Sequence, residues 1–474
     1  MHRADAEAIY DAGKEAVIVT LLQQCEQIKK LEKRVASLSK DSSNSSKPPS
    51  TDGPGIKKTK KKRKSRKNQG GQPGHKGKKR ELLPADQMDE IHDCYPDQCE
   101  GCGKHFADDQ KQPTITPARH QWFELPVIEM IKEEFRCHTL SCQCGHRTTG
   151  MLPIHVAISC LGPRLHAVIA YLNVEHRVTR RGIVDIVANI FNLDIALGST
   201  CNVATRVSEA CKPVAEQVRE HIVNAFNLNI DETGWKKRGK RIYLWCFVAH
   251  LCVFYHINES RGSKVLIQVL GAVFGGIIGS DDFSAYNKYH KNGRRQLCWA
   301  HIIRQLKLLK DNRGSPDSYI FGKNMLQEIG RLFTYLHAYL ESDDCSLKEL
   351  NQATILIRAR MKKWCEKYRD SEDQAVRTRA RKILKNWAHL FTFLEVEGVE
   401  PTNNRAERAF RHAVQWRKIC FGSQSDGGLR YVERFLTVTR TRKMQGRNPY
   451  VFLTKLLEAN FKKQPLPEIL PDVS

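Results

Sequence analysis

Apolar positions along this chain change their spacing several times, and each change marks a boundary. In residues 1–40 the series Leu21, Ile28, Val35 repeats every seven, with Leu31 and Leu38 on a second stripe that Gln24 interrupts. That spacing predicts a short coiled coil or one packed amphipathic helix. Residues 41–85 have no period: SKDSSNSSKPPSTDGPG lacks the apolar side chains for a core and reads as linker. Residues 86–152 hold two cysteine knuckles with room between them for a β-hairpin. Apolar residues then recur every three or four through 153–226, a helical domain with breaks near Arg180–Gly182 and at NLDIALGST. The second break predicts a turn followed by a Ser199 or Thr200 N-cap, as in a helix-turn-helix.

Near Asn229 the period drops to two. NLNIDETGWKKRGKRIYLWCFVAHLCVFYHINES contains three β-rich runs with short polar turns, an antiparallel meander. RGSKVLIQVLGAVF then predicts a helix, GGIIGSDDFSAY a short buried strand, and RRQLCWAHI another strand. This order over 227–304 resembles the ribonuclease H-like fold, in which the first and fourth strands are neighbours. Residues 305–400 return to a helical pattern rich in Lys and Arg and look like an insertion, while 401–474 complete the core with C-terminal helices. The fold class expected is therefore multidomain α/β: a ribonuclease H-like catalytic domain with a helical insertion, preceded by a coiled coil, basic linker, zinc-binding module and helix-turn-helix-like domain.

Composition narrows the partners. A chain of 474 residues exceeds one ordinary core and implies several domains. Its net charge of +25 points to a polyanion, with nucleic acid ahead of an anionic membrane surface. Thirteen Lys and Arg and no acid lie between Lys57 and Arg80. This run, with Lys60, Lys61, Lys62, Arg63 and Lys64 at its centre, predicts an arm that clamps DNA phosphates without choosing sequence. No stretch reaches the roughly 18 apolar residues of a membrane span. The N-terminus has no basic start followed by an apolar segment, so no secretion signal is expected. Six of the sixteen cysteines fall between Cys94 and Cys144, which reads as a metal module in a reduced, cytoplasmic and nucleoid-associated protein. Cys99 and Cys102 form one pair and Cys142 and Cys144 the other, with Cys137 a competing ligand. Four thiolates fit structural zinc and leave no open catalytic position.

Three acids carry the candidate chemistry. Asp231 ends the first strand, on the face opposite Leu228 and Ile230, because side chains alternate. Asp281 or Asp282 ends the fourth. The third is Glu407, in PTNNRAERAFRHAVQWRK, which has a plain reading as a capping-box residue three places after an Asn404 N-cap. At 100° per residue Glu407, Arg411, Val414 and Lys418 share a face that Arg408 and His412 flank. Two Asp and one Glu beside cations suit two Mg²⁺ or Mn²⁺ ions about 4 Å apart at a phosphodiester.

The motifs NSSKPPSTDG, GGQPGHKG, the Cys99/Cys102 knuckle, IDETGW, SDDFSAY, QLCWAHIIRQLK and TNNRAERAFR follow one another in an order that resembles the transposases of the insertion sequence 66 family. The resemblance implies an N-terminal zipper, a zinc and helix-turn-helix DNA-binding portion, and a DDE catalytic domain with Asp231, Asp281 and Glu407 as the acidic triad. It implies His301 and Arg304 as site support. A glycine commonly follows the family's second aspartate, whereas Asp282 stands here, so the pair stays open. The activity expected is two-metal DNA cleavage and strand transfer at element ends. The expected assembly is a homo-oligomer on terminal repeats and target DNA, with small accessory proteins as further candidate partners. The rivals are a metal-dependent nuclease and an inactive DNA-binding regulator.

Overall fold

The heptad stretch folds as two helices, α1 (Arg3–Asp11) and α2 (Lys14–Leu38), separated by a turn at Ala12 and Gly13. On α2, Ile18, Val19, Leu21 and Leu22 are exposed. The computed structural model describes residues 3–38, 80–113, 117–291, 293–312, 314–342 and 344–470. Lys60, Lys61, Lys62, Arg63 and Lys64, with most of the linker around them, lie outside the described residues. The chain forms two units: residues 57–131, and residues 1–56 with 132–474.

In the smaller unit the described backbone is mostly extended. Arg119 and Gln121 both donate to the Leu83 carbonyl, at 2.7 and 2.8 Å, and Arg80 lies over the Phe123 ring at 3.8 Å. In the larger unit a hairpin of β1 (Thr139–Ser141) and β2 (Arg147–Thr149) precedes four helices: α3 (Ile154–Ala157), α4 (Pro163–Val174), α5 (Arg180–Phe191) and α6 (Leu197–Val223). The expected caps shift. Thr179 caps α5 by accepting the Gly182 N–H at 3.1 Å. Ala196, not Ser199 or Thr200, is the N-cap of α6; Thr200 is already helical and its buried hydroxyl donates to the Leu197 carbonyl at 2.7 Å.

The alternating region builds a five-stranded mixed sheet from β3 (Asn227–Lys237), β4 (Lys240–Ala249), β5 (Cys252–Asn258), β6 (Ile277–Ser280) and β7 (Arg295–Leu297). Its order is β5-β4-β3-β6-β7, an antiparallel meander extended by two strands parallel to β3. Helix α7 (Lys264–Leu270) makes the crossover to β6, and α8 (Ser284–Tyr289) joins β6 to β7. The segment GGIIGSDDFSAY is thus a strand only over its first half; Asp281 and Asp282 follow its end. Helix α9 (Trp299–Asp311) leads into the insertion, formed by α10 (Pro316–Leu340), α11 (Leu347–Ala353), α12 (Ile355–Lys367) and α13 (Gln374–Lys385). One apolar core, including Trp299, Leu306, Phe321, Met325, Met361 and Ile383, runs from α9 through α10, α12 and α13. The returning chain is tied to β7: Thr392 donates to the Arg295 carbonyl at 2.5 Å, and the Trp299 indole to that of Leu390 at 2.7 Å.

Helices α14 (Asn404–Cys420), α15 (Asp426–Met444) and α16 (Pro449–Phe461) close the chain. Helix α15 covers the edge strand, and α6 packs against both α15 and β5. Along β5, Val253 and Tyr255 donate their N–H groups to the Thr441 and Thr437 hydroxyls at 3.1 and 3.0 Å, and Ile257 donates to Glu433. An edge left open would recruit another strand. Each of these buried amides, unpaired, would cost about 1–3 kcal/mol.

Candidate active site

The alternation along β3 puts Leu228, Ile230 and Glu232 in the core and leaves Asn229, Asp231 and Thr233 half-buried on the other face. Asp231 does not end the strand as expected but lies mid-strand, because β3 runs on to Lys237 opposite β4; it faces Cys246, and its Oδ1 accepts the Glu232 N–H at 2.9 Å. Because β6 runs parallel to β3, with Asn229 beside Gly279, Asp281 emerges next to this face. Its Oδ1 accepts the Phe283 N–H at 3.0 Å and holds the turn into α8.

Long-range hydrogen bonds bring the third acid in. Asn403 is buried; its side-chain amide donates to the Ile230 carbonyl at 2.8 Å and its oxygen accepts from Asn229 at 3.0 Å. Its own N–H donates to Cys298 Sγ at 3.1 Å, and the Trp299 N–H donates to the Pro401 carbonyl at 3.0 Å. The start of α14 is thereby pinned between β3 and the end of β7. Asn403, not Asn404, is the N-cap, and no side-chain capping bond forms. Glu407 therefore sits one place beyond the capping-box position, and the plain reading of this residue does not hold. Its carboxylate, 37% exposed, has His301 Nε2 beside it at 3.8 Å.

Electrostatics ties the acids together. Burial pushes Asp231 well above the usual carboxylate range, and the charges of Glu232, Asp281 and Glu407 push it further. Burial likewise lowers His301, against the pull of Asp281 and Glu407. Glu232 is a different kind of acid. It is pushed up to about 7 by burial and by Asp281, yet it accepts from Tyr286 at 2.5 Å and from Arg261 at 2.8 Å. Those bonds satisfy it on the core side of the strand. Among the described residues, no three His, Cys, Asp or Glu side chains already stand as a finished metal shell. Asp281 and Glu407 are both carboxylates whose charges reach Asp231 and oppose its ionisation.

The doubled aspartate separates by partner. Asp282 pairs with Lys382 of α13 at 3.0 Å, leaving Asp281 beside His301. Both acids leave the strand before its alternation can sort them. Arg304 is half-buried one turn after His301, and Arg408, Arg411 and Lys418 are exposed along α14. His412 is instead buried against α4, where its Nε2 bonds the Val174 carbonyl at 2.8 Å. Lys382 and Arg379 went unrecognised in the sequence; their only signal was the basic spacing in VRTRARKILK, which does not say what the face meets.

Each cysteine knuckle turns on a glycine in left-handed backbone. Gly103, at φ +73°, donates to the Cys99 carbonyl at 2.8 Å, and Gly145, at φ +84°, donates to that of Cys142 at 2.9 Å. Left-handed backbone of this kind favours glycine. The backbone N–H groups of Cys102 and Gly101 lower the Cys99 thiol, and that of Cys144 lowers Cys142. Cys137 precedes β1 and is exposed.

Two stretches of the chain match known protein families. Residues 3–81 match a family of unknown function (DUF6444). Among curated relatives, the uncharacterized protein y4jD of Sinorhizobium fredii (strain NBRC 101917 / NGR234) is 23% identical over 54% of this chain and 54% of its own length. The uncharacterized protein y4qI of the same strain is 28% identical over 46% of this chain and 42% of its own. The chain thus spans about half the length of these relatives. Among the described residues no helix is long and apolar enough to cross a membrane. Residues 159–431, the stretch that contains all three acids, match the model of the Transposase IS66 family, and the chain belongs to that family.

Proposed function

We propose that this transposase-family chain works by DDE chemistry on a ribonuclease H-like core, cutting DNA at element ends and joining the freed end to a target. One observation carries the reading. In the strand order β5-β4-β3-β6-β7, Asp231 lies on β3 and Asp281 just past the end of its parallel neighbour β6, and Glu407 of α14 belongs to the same charge cluster. All the donors are oxygens, so Mg²⁺ or Mn²⁺ fits and zinc does not. Two such ions, held by Asp231, Asp281 and Glu407, would supply an activated hydroxyl and a stabilised leaving oxygen.

The chain's own groups do the rest. His301, kept neutral by burial, braces Glu407 without cancelling its charge. Arg408, Arg411 and Lys418 line the exposed side of α14, where cations hold phosphates in register. The basic arm from Lys57 to Arg80 adds sequence-independent affinity. The exposed apolar positions of α2 support self-association through the expected coiled coil. The knuckles support structural zinc, since each presents a thiol that neighbouring backbone N–H groups shift toward the thiolate.

The test uses purified full-length chain and a labelled duplex carrying the inverted repeat that borders its gene, with a supercoiled plasmid as target. Mg²⁺-dependent nicking at the repeat and joined products are expected. Nicking without joining would make the chain a nuclease. Binding without nicking would make it a regulator.

A further inference from the structure

A cleft of about 230 Å³ lies beside the candidate active site, between the end of β6, helix α9 and helix α13 of the insertion. Asp281, His301 and Gln305 line one side, and Arg379, Lys382 and Asn386 the other. The two cations are three residues apart on α13 and share a face. Their situations differ. Lys382 is paired with Asp282 at 3.0 Å, which pegs α13 to the end of β6. Arg379 is half-buried, and no hydrogen bond or ion pair engages it among the described residues. Burial lowers its pKa, and Asp282, the acid that acts on it, is already bound to Lys382.

A guanidinium taken out of water without a partner is costly, and an anion arriving in the cleft would recover that cost. A planar fork of N–H donors suits phosphate oxygens. The cleft opens at Asp281, so the anion that reaches it during reaction on DNA is a backbone phosphate close to the scissile one. We infer that Arg379 is a substrate-binding residue: it clamps a phosphate of the DNA strand beside the reacting phosphodiester, at the mouth of this cleft. The helical insertion then forms one wall of the active site. This rests on the DDE reading above, and its test is built so that the two can fail separately.

The wild-type chain first maps the cleavage position on the repeat duplex. Single methylphosphonates, which remove the charge of one phosphate, are then placed at each position flanking that site. At one of them, cleavage by the wild type should slow roughly 10- to 100-fold, the range for one charge-assisted hydrogen bond. Arg379→Gln should lose the same factor on unmodified DNA and lose nothing more from that methylphosphonate, while Arg379→Lys regains part of the rate. A variant merely damaged in fold would be slowed further by the neutral phosphate. An Arg379→Gln variant at wild-type rate, or one in which the two losses multiply, overturns the inference. In parallel, phenylglyoxal modification of Arg379 in the wild type is followed by mass spectrometry with and without duplex in Ca²⁺. DNA should protect it, and equal labelling overturns the inference. A wild type that cuts nothing refutes the DDE reading alone, and the protection measurement still decides on Arg379.

Discussion

Replacing Glu407 by glutamine separates chemistry from architecture, because the change keeps the shape and removes one charge. The residue caps nothing: the cap is Asn403, whose side chain is committed to β3, and no backbone bond depends on the Glu407 carboxylate. At 37% exposure the neutral amide is easily hydrated, so stability should move by no more than about 0.5 kcal/mol. The site is another matter. Asp231, Asp281 and Glu407 offer three negative charges; two divalent ions bring four positive ones, and the phosphodiester brings the last negative charge. Glutamine leaves that sum one charge short. Metal stabilisation of the transition state amounts to several kcal/mol, and each 1.36 kcal/mol is tenfold, so cleavage should fall about 10²- to 10⁴-fold. The assay is single-turnover cleavage of the labelled repeat duplex in Mg²⁺, with binding by anisotropy in Ca²⁺ and thermal melting as controls. Wild-type cleavage by Glu407→Gln would remove Glu407 from the metal set and leave α14 as a DNA-binding scaffold. Asp231→Asn extends the argument to the apo protein. It should be equally slow, yet melt higher than wild type in EDTA, because it deletes a buried charge that its neighbours repel. A lower melting temperature would contradict the repulsion.

The other predictions concern the doubled aspartate, acid stability and the knuckles. Asp281→Asn should abolish cleavage, whereas Asp282→Asn breaks only the Lys382 pair and should slow it less than tenfold; the reverse pattern in the same assay would exchange their roles. Below neutrality, stability should fall in two overlapping steps. His412 is held at about 4 by burial and by Arg440, below an unfolded 6.5, so it costs stability as pH drops through 6.5 to 4. Burial raises Glu175, but Arg440 and Lys443 outweigh it and leave the group at about 2 against 4.5, so its contribution is present above 4.5 and lost toward 2. Each step is of order 3 kcal/mol. Melting from pH 7 to 4 should show the first step, and His412→Asn should flatten it; an unchanged slope would mean that the imidazole titrates freely. Finally, Cys99→Ser with Cys102→Ser should remove bound zinc from purified protein, and full retention by elemental analysis would refute zinc at that knuckle.

How much of this was readable in advance follows from where each signal resides. The meander was legible because Leu228 and Ile230 alternate with Asp231 over a long strand, and alternation is a local property. The same alternation chose the face on which Asp231 lies. The cap of α14 was not legible, since Asn403 and Asn404 are equivalent to any local rule. What distinguishes them is that Asn403 reaches the Ile230 carbonyl, a partner far away in sequence. The start of α6 failed for a related reason: Thr200 is a fine cap by type, but its hydroxyl bonds inside the helix it was expected to open.

Buried polar side chains on helices set the deeper boundary. Thr437, Thr441 and Glu433 look like a solvated stripe, and their purpose as acceptors for the β5 amides exists only once the edge strand lies beneath them. His412 looked like a flanking cation on the face of Glu407. Its Nε2 instead meets the Val174 carbonyl, and its Nδ1 accepts from Arg177 at 3.2 Å. The second contact requires the neutral ring, because a protonated Nδ1 could not accept. Periodicity tells which face of an element is covered, but not what covers it, and for a polar residue the covering group decides its charge. That is why Asp281 and Asp282, identical in type and adjacent in sequence, part company only through Lys382, which lies in a separate stretch of chain. Asp282 keeps its charge but commits one oxygen to that lysine, whereas no ion pair engages Asp281 among the described residues.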